Sequence, residues 1–98
     1  MALPTSFVIS SDISGTTQIP AIGFGTFQPD RETAPGTVKA AVLTAIKCGY
    51  RHIDTAYAYS TGKVEIEVGE AIRECGVPRA ELFVVTKLYV FPALLYFI

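Results

Sequence analysis

The sequence predicts an α/β fold built on a parallel sheet. Three short apolar segments alternate with two stretches in which apolar residues recur at helical spacing. Each of these two stretches ends at a glycine, which is a common stop signal for a helix. Because neighbouring parallel strands need a crossover connection, usually a helix, this order of segments indicates βαβ units.

The amino-terminal residues predict a β-hairpin followed by the first strand of the sheet. Two apolar runs within residues 7–19 flank a polar stretch that contains Gly15, a suitable turn residue. Residues 21–27 are apolar and carry two glycines, as expected of a buried strand whose backbone is approached closely by another group. Pro20 separates the two elements.

Two amphipathic helices and two further strands follow. Residues 33–48 form the first predicted helix, with apolar residues at i, i+3, i+4, i+7 and i+8, and residues 65–75 form the second. Residues 50–55 and 82–88 are the second and third predicted strands. A chain of 98 residues has room for one domain at most, so these elements are expected to share one core.

Composition and charge exclude several classes of protein. Half of the residues are hydrophobic and 17% are charged, as in globular domains and unlike disordered chains. The formal net charge of -1 offers no basic surface for nucleic acid or an acidic membrane, so neither partner is expected. No secretory or transit signal is found, which predicts a cytoplasmic location. Cys48 and Cys75 lack metal-ligand spacing and are expected to be reduced and buried, and no metal site is predicted.

Four motifs, in order, resemble those of the aldo-keto reductase family. Residues 49–56 read Gly-Tyr-Arg-His-Ile-Asp-Thr-Ala, and residues 65–69 read Glu-Ile-Glu-Val-Gly. Residues 19–26 resemble the family's first strand, and residues 82–88 resemble its third. The resemblance covers residues 7–88 and implies a partial (β/α)8 barrel, with an amino-terminal hairpin and about three βα units. It also implies an oxidoreductase that uses NADPH to reduce aldehyde or ketone carbonyls to alcohols.

By this resemblance, Asp54, Tyr59 and Lys87 match three of the family's four catalytic residues. Hydride transfer to a carbonyl leaves a developing alkoxide, which needs a proton donor whose pKa is close to the working pH. A free phenol is too weak an acid, with a pKa of ~10, and a neighbouring ammonium lowers that pKa. Tyr59 would donate the proton, Lys87 would tune the phenol, and Asp54 would hold the lysine charged and in place. Barrel enzymes build their active sites at the carboxyl ends of strands, where these residues are predicted to lie.

Competing interpretations exist for two of these assignments and for the single histidine. Asp54 and Lys87 would otherwise be a buried ion pair that closes the sheet and has no part in catalysis. His52 precedes a strand residue instead of ending the strand, so a packed, hydrogen-bonded core role is favoured over a catalytic one. The family's catalytic histidine belongs to the strand after Lys87, which is not among the predicted elements.

Tyr57 competes with Tyr59 as the proton donor. Eight residues separate Ala56 from Glu65, where the family commonly has five. Tyr59 is preferred because it keeps the family's spacing from the aspartate, and because the small polar residues 60–63 can take up the insertion in a loop.

The same resemblance assigns contacts with the nicotinamide end of NADPH to Gly25, Thr26, Phe27 and Asp54. The glycines of the first strand do not form a dinucleotide-binding fingerprint, because the third glycine and the helix that should follow are missing. The expected partner is therefore a small carbonyl substrate together with a cofactor bound in the manner of this family. The identity of the substrate and the oligomeric state are not encoded in these residues.

A complete (β/α)8 barrel needs on the order of 250 residues, so residues 1–98 predict a single incomplete domain. Its family-like part is residues 7–88, and the apolar, uncharged residues 89–98 are atypical. Together with the third strand, this tail is shorter than the ~20 apolar residues of a membrane span. Two functional expectations follow: part of a reductase, or a non-catalytic fragment that lacks most of the cofactor-binding half. In both cases the 98-residue chain alone is expected to be inactive.

Overall fold

The computed structural model describes residues 4–9, 17–29 and 33–88. In chain order the elements are β1 (Ser6–Val8), β2 (Gln18–Pro20), β3 (Phe24–Gly25), α1 (Thr37–Lys47), β4 (His52–Asp54), α2 (Lys63–Glu74) and β5 (Phe83–Val85). The last three strands form one sheet in the order β3-β4-β5, with parallel pairing throughout. This alternation of strands and helices confirms the predicted α/β class.

The amino-terminal hairpin is formed by β1 and β2, which pair antiparallel with Phe7 opposite Ile19. Its predicted turn residue, Gly15, lies outside the described residues. Nδ1 of His52 lies 3.1 Å from the carbonyl oxygen of Pro20, which ties the hairpin to the sheet. The same imidazole packs edge-on against Phe83, with 5.4 Å between ring centroids. The predicted packing and hydrogen bonding of this histidine are confirmed, but its predicted place in the core is wrong, because the side chain is only partly buried.

The core lies between the parallel sheet and the two helices. It is an apolar cluster from both helices, from β4 and from the residue before β5, namely Val38, Val42, Ile46, Ile53, Val64, Val68, Ala71 and Leu82. Because successive side chains of a strand point to opposite faces, Ile53 enters this core while His52 and Asp54 lie on the other face of the sheet. The strands therefore direct Asp54 away from the helices.

The boundaries of the helices differ from the predicted ones. α1 begins at Thr37 instead of residue 33, because the preceding Gly36 adopts a left-handed conformation with φ 87°, which a helix cannot continue through. α2 begins at Lys63, two residues before its predicted start. The strands are also shorter than predicted, since only two or three residues of each apolar segment are paired.

Charged residues connect the two helices. Gly36 offers no side chain to cap α1, and Oε1 of Glu67 on α2 instead accepts a hydrogen bond from the backbone N–H of Lys39 at 3.1 Å. The Lys39 ammonium lies 2.7 Å from Oε1 of Glu74 and 3.8 Å from Oε2 of Glu70. The hydrogen bond to Glu74 is the main cause that raises the pKa of Lys39. A tertiary contact thus replaces the local cap that the sequence lacks.

The expectation that both cysteines are buried is wrong for Cys48, which is exposed. Ala45 and Ile46 occupy the core-facing positions of the last turn of α1, so Cys48, two positions further on, points away from the core. Cys75 is partly buried and packs against the core cluster. Both thiols are free.

None of the helices in the described ranges is long and apolar enough to cross a membrane. The apolar segment 89–98 lies outside those ranges, so the expectation of an atypical tail stays a prediction from the sequence.

Replacing Gly23 with alanine is expected to lower the free energy of unfolding by about 1–3 kcal/mol through overpacking. A Cβ atom at this position would lie 3.0 Å from Nδ1 of His52, whose ring is already held by Pro20 and Phe83. Gly25→Ala is the matched control, because nothing lies within 4 Å of its Cβ position. That variant should change the free energy of unfolding by less than about 0.5 kcal/mol. Equal urea midpoints for the two variants would contradict the predicted clash.

Candidate active site

The parallel pairing of β4 and β5 brings Asp54 and Lys87 to one edge of the sheet. Asp54 is the last residue of β4 and pairs with Val85, and Lys87 follows Val85 by two residues. The Lys87 ammonium donates a hydrogen bond to Oδ1 of Asp54 at 2.8 Å and another to the carbonyl oxygen of Thr55 at 3.0 Å. Two groups that lie far apart in the sequence thus form an ion pair at the carboxyl ends of neighbouring strands.

The electrostatics of this pair keep the lysine charged. The hydrogen bond to Asp54 is the main cause that raises the pKa of Lys87 above its usual 10.5, and partial desolvation opposes the rise. Attraction to the Asp54 carboxylate and interaction with the Tyr59 phenol raise this pKa further. The side chains of Lys87 and Asp54 are 51% and 37% exposed. An ion pair this open to solvent adds little to stability, so closure of the sheet gives a weak reason for its presence.

The Tyr59 ring lies beside this ion pair. Its centroid is 5.5 Å from Nζ of Lys87, within the range of a cation–π contact. On another side the ring meets Phe27 edge-on, with 5.3 Å between centroids. The structure therefore brings together Asp54, Tyr59 and Lys87, the three residues that the sequence predicted as catalytic.

Tyr57 takes a different place. Its side chain is 56% exposed, and its ring lies next to Gly62, where an added Cβ would be 3.4 Å away. Its backbone N–H donates to the carbonyl oxygen of Lys87 at 3.2 Å. No contact in the described part of the chain joins the Tyr57 ring to Asp54 or Lys87. The Tyr59 ring, and not the Tyr57 ring, therefore lies beside the ion pair.

A tight turn directly follows Tyr59. Ser60 and Thr61 have φ of 47° and 54°, and Gly62 has φ of 88°, so three successive residues are left-handed. Only glycine adopts this conformation without a steric cost. Residues 60–63 were expected to take up the insertion as a loop, and the turn lies within them.

The four candidate cofactor residues form the end of β3 and its partner on β4. Gly25 pairs with Asp54, and the space at its Cβ position is open. Phe27 is 61% exposed. Thr26 is 2% exposed, and both its hydroxyl and its backbone N–H donate to the carbonyl oxygen of Asp54, at 2.9 and 3.1 Å. The Thr26 side chain is thus committed to the protein, whereas Gly25 and Phe27 face open space.

Two contacts at this edge were not predicted from the sequence. The hydroxyl of Thr86 donates to Oε1 of Glu65, and the carbonyl of Thr55 supports Lys87. Glu65 belongs to the Glu-Ile-Glu-Val-Gly motif, and Thr86 precedes the lysine, but their spacing of 21 residues gives no sign that they meet. Within the described ranges, no group of three or more His, Cys, Asp or Glu residues is arranged to hold a metal ion.

Comparison with known sequences agrees with this geometry. Residues 21–94 match the sequence model of the Aldo/keto reductase family. The chain belongs to this family. The resemblance of its four motifs to aldo/keto reductases is thereby confirmed, and the matched region begins after the hairpin and extends past Leu88.

Individual relatives give the extent of the likeness. Glycerol 2-dehydrogenase (NADP(+)) of Saccharomyces cerevisiae is 54% identical to this aldo/keto reductase chain over 72 residues, which are 74% of the chain and 21% of the yeast protein. The structure of an aldo/keto reductase from Brucella melitensis is 36% identical with a TM-score of 0.70, over 90% of the chain and 30% of that structure. Bombyx mori aldo-keto reductase in complex with NADP is 35% identical with a TM-score of 0.66, over 91% and 29%.

These likenesses confirm the predicted partial (β/α)8 barrel. The chain spans about a fifth of the length of the curated relatives that it matches.

Proposed function

We propose that this chain supplies the amino-terminal part of the active site of an NADPH-dependent aldo/keto reductase, which reduces an aldehyde or ketone to an alcohol. The observation that carries the proposal is the placement of Lys87 between two groups. Its ammonium lies 2.8 Å from the Asp54 carboxylate and 5.5 Å from the centre of the Tyr59 ring. A phenol, an ammonium and a carboxylate in this order form a proton donor with the groups that tune it.

In the proposed reaction Tyr59 is the general acid. As hydride adds to the carbonyl carbon, the phenol O–H bond breaks and the proton passes to the carbonyl oxygen, which leaves a phenolate. The Lys87 charge stabilises that phenolate. Asp54 in turn holds the ammonium by a charge-assisted hydrogen bond and keeps it protonated.

The residues of this chain fit a nicotinamide cofactor at the end of β3. The missing side chain at Gly25 leaves open space on the face that carries Asp54, and the exposed Phe27 ring borders it. Gly25, Phe27 and Asp54 would contact the nicotinamide end, and Thr26 would fix the Asp54 backbone. NADPH, when bound, supplies the hydride. Two relatives support this choice: the yeast protein is named for NADP(+), and the Bombyx mori structure contains NADP.

A small carbonyl compound is the proposed substrate. An open groove of about 540 Å³ lies next to the Tyr59 turn and the exposed Phe27 ring, and its lining is formed by Phe27, Gln28, Pro29, Ala58, Ser60, Thr61 and Lys63. The cytoplasmic location expected from the sequence belongs to this proposal as well.

A chimera tests the proposal against the alternative of a non-catalytic fragment. Residues 1–88 replace the matching residues of the yeast glycerol 2-dehydrogenase, to which this chain is 54% identical over 72 residues; we call this protein the reconstructed barrel. We expect the reconstructed barrel to oxidise NADPH with small aldehydes. The 98-residue chain alone is expected to show no oxidation above the protein-free control, because three strands leave the barrel open.

Two outcomes would contradict these expectations. A folded, monodisperse reconstructed barrel that fails to reduce any of a panel of aldehydes and ketones would support the non-catalytic alternative. Turnover by the 98-residue chain that disappears in its Tyr59→Phe variant would show that the remaining strands are not required. The yeast parent protein, assayed in parallel, controls for the quality of the substrates and cofactor.

A further inference from the structure

A hydrogen bond joins the first turn of α2 to the residue before Lys87. The hydroxyl of Thr86 donates to the carboxylate of Glu65, the third residue of α2. Thr86 directly follows β5. The bond therefore connects the segment that positions Lys87 to the helix that follows the Tyr59 loop.

The loop between β4 and α2 is consequently connected at both ends to two adjacent residues, Thr86 and Lys87. On its upstream side the backbone N–H of Tyr57 donates to the carbonyl oxygen of Lys87 at 3.2 Å. On its downstream side Glu65 accepts the hydrogen bond from Thr86. Tyr59 lies between these two anchors.

The turn that follows Tyr59 has an unfavourable backbone conformation. Ser60 and Thr61 are left-handed, which costs a non-glycine residue roughly 1–2 kcal/mol. The helix that follows begins without a side-chain cap. If the bond between Glu65 and Thr86 were lost, relaxation of this turn would move Tyr59 relative to Lys87.

Glu65 acts here through position and not through charge. The groups that raise the pKa of Lys87 are Asp54 and Tyr59, and Glu65 is not among them. A neutral glutamine retains an amide oxygen that can accept the same hydrogen bond. The effect of Glu65 should therefore survive loss of its charge but not loss of its acceptor.

We propose that Glu65 and Thr86 are positioning residues for the proton donor, and that their hydrogen bond holds the Tyr59 phenol beside the Lys87 ammonium. This inference rests on the proposed function and adds to it two residues that act through Tyr59.

Thr86→Val in the reconstructed barrel removes the hydroxyl while keeping the shape of the side chain. We expect kcat to fall by about tenfold, since small displacements of catalytic groups carry costs of this order. The basic limb of the pH profile of kcat/KM should move to higher pH, because the donor lies farther from the ammonium. The KM for NADPH should not change. Thr86→Ser and Glu65→Gln, which keep the donor and the acceptor, should stay within about twofold of the parent in kcat.

A double-mutant cycle separates positioning from a general loss of structure. Glu65→Ala should reproduce the effects of Thr86→Val, and the double variant should be no worse than either single one, because both remove the same bond. If Thr86→Val fails to fold, Glu65→Ala with Glu65→Gln as its control provides the same comparison.

The inference is overturned if Thr86→Val and Thr86→Ser have equal kcat and equal pH profiles. It is also overturned if kcat falls only in proportion to the loss of folded protein and the pH profile stays in place. Tyr59→Phe in the same protein distinguishes these results from failure of the proposed function. An active Tyr59→Phe variant refutes the proton donor itself, whereas an inactive one combined with a normal Thr86→Val variant refutes the positioning role alone.

Discussion

Tyr59→Phe in the reconstructed barrel is expected to lower kcat for carbonyl reduction by roughly 10²–10⁴-fold, the range that a general acid contributes. The substitution removes the phenol proton and leaves the ring, so its contacts with Phe27 and Lys87 can persist. Binding of NADPH should remain, because the phenol is not among its proposed contacts. Steady-state kinetics with a small aldehyde and a fluorescence titration of NADPH measure the two effects separately.

Tyr57→Phe is the matched control. It makes the same chemical change two residues away, on a ring that is 56% exposed and rests beside Gly62. Its backbone hydrogen bond to Lys87 is unaffected by the loss of the hydroxyl. We expect kcat to stay within about threefold of the parent, as for a surface substitution. The opposite pattern, with Tyr57→Phe inactive and Tyr59→Phe active, would show that the insertion precedes the donor.

Lys87→Met is expected to lower kcat by roughly 10²–10³-fold, the loss that follows removal of one preorganised group that stabilises developing charge. Without the ammonium the phenolate is no longer stabilised, so the basic limb of the pH profile should move to higher pH. The variant also leaves the Asp54 carboxylate without its partner at 2.8 Å. Measurement of kcat as a function of pH, from neutral pH upward, reveals both the fall in kcat and the shift of the basic limb.

Lys47→Met is the control for general charge, because Lys47 is an exposed lysine in the last turn of α1 with no ion pair among the described residues. Its kcat and pH profile should match those of the parent. If Lys87→Met behaves like Lys47→Met, the ion pair with Asp54 has no catalytic part and the interpretation as a structural pair is correct.

The raised pKa of Lys87 sets the pH range in which its ion pair with Asp54 can add to stability. Asp54 raises that pKa above 10.5, so the ammonium persists at and beyond the usual value. Any stability that the pair adds is fully present below pH 10.5 and is lost as the pH rises through the higher folded-state pKa.

Most elements of the fold could be predicted because their signals are local. Helical spacing of apolar residues located α1 and α2, and short apolar segments located β3, β4 and β5. The starts of the helices were less accurate. α1 begins after a left-handed glycine, and its capping carboxylate comes from Glu67 on the other helix, which no local pattern reveals.

The candidate site, like the fold, could be predicted only in part from the sequence. The sequence alone indicated the candidate catalytic residues and the strands that carry them, because four motifs in order placed Asp54, Tyr59 and Lys87 at or beyond the carboxyl ends of two strands. The sequence also limited the candidate proton donor to two tyrosines, Tyr57 and Tyr59. Spacing along the chain could not choose between Tyr57 and Tyr59, because a loop with an insertion can direct either ring toward the lysine.

The tertiary structure decided which tyrosine ring lies beside Lys87. A left-handed turn follows Tyr59, and the bond between Glu65 and Thr86 connects the helix after this turn to the residue after β5. The tertiary structure also directs the Thr26 hydroxyl toward the carbonyl oxygen of Asp54. These contacts join residues 21 or more positions apart, so they depend on strand register and loop conformation, which appear only when the sheet and helices pack together.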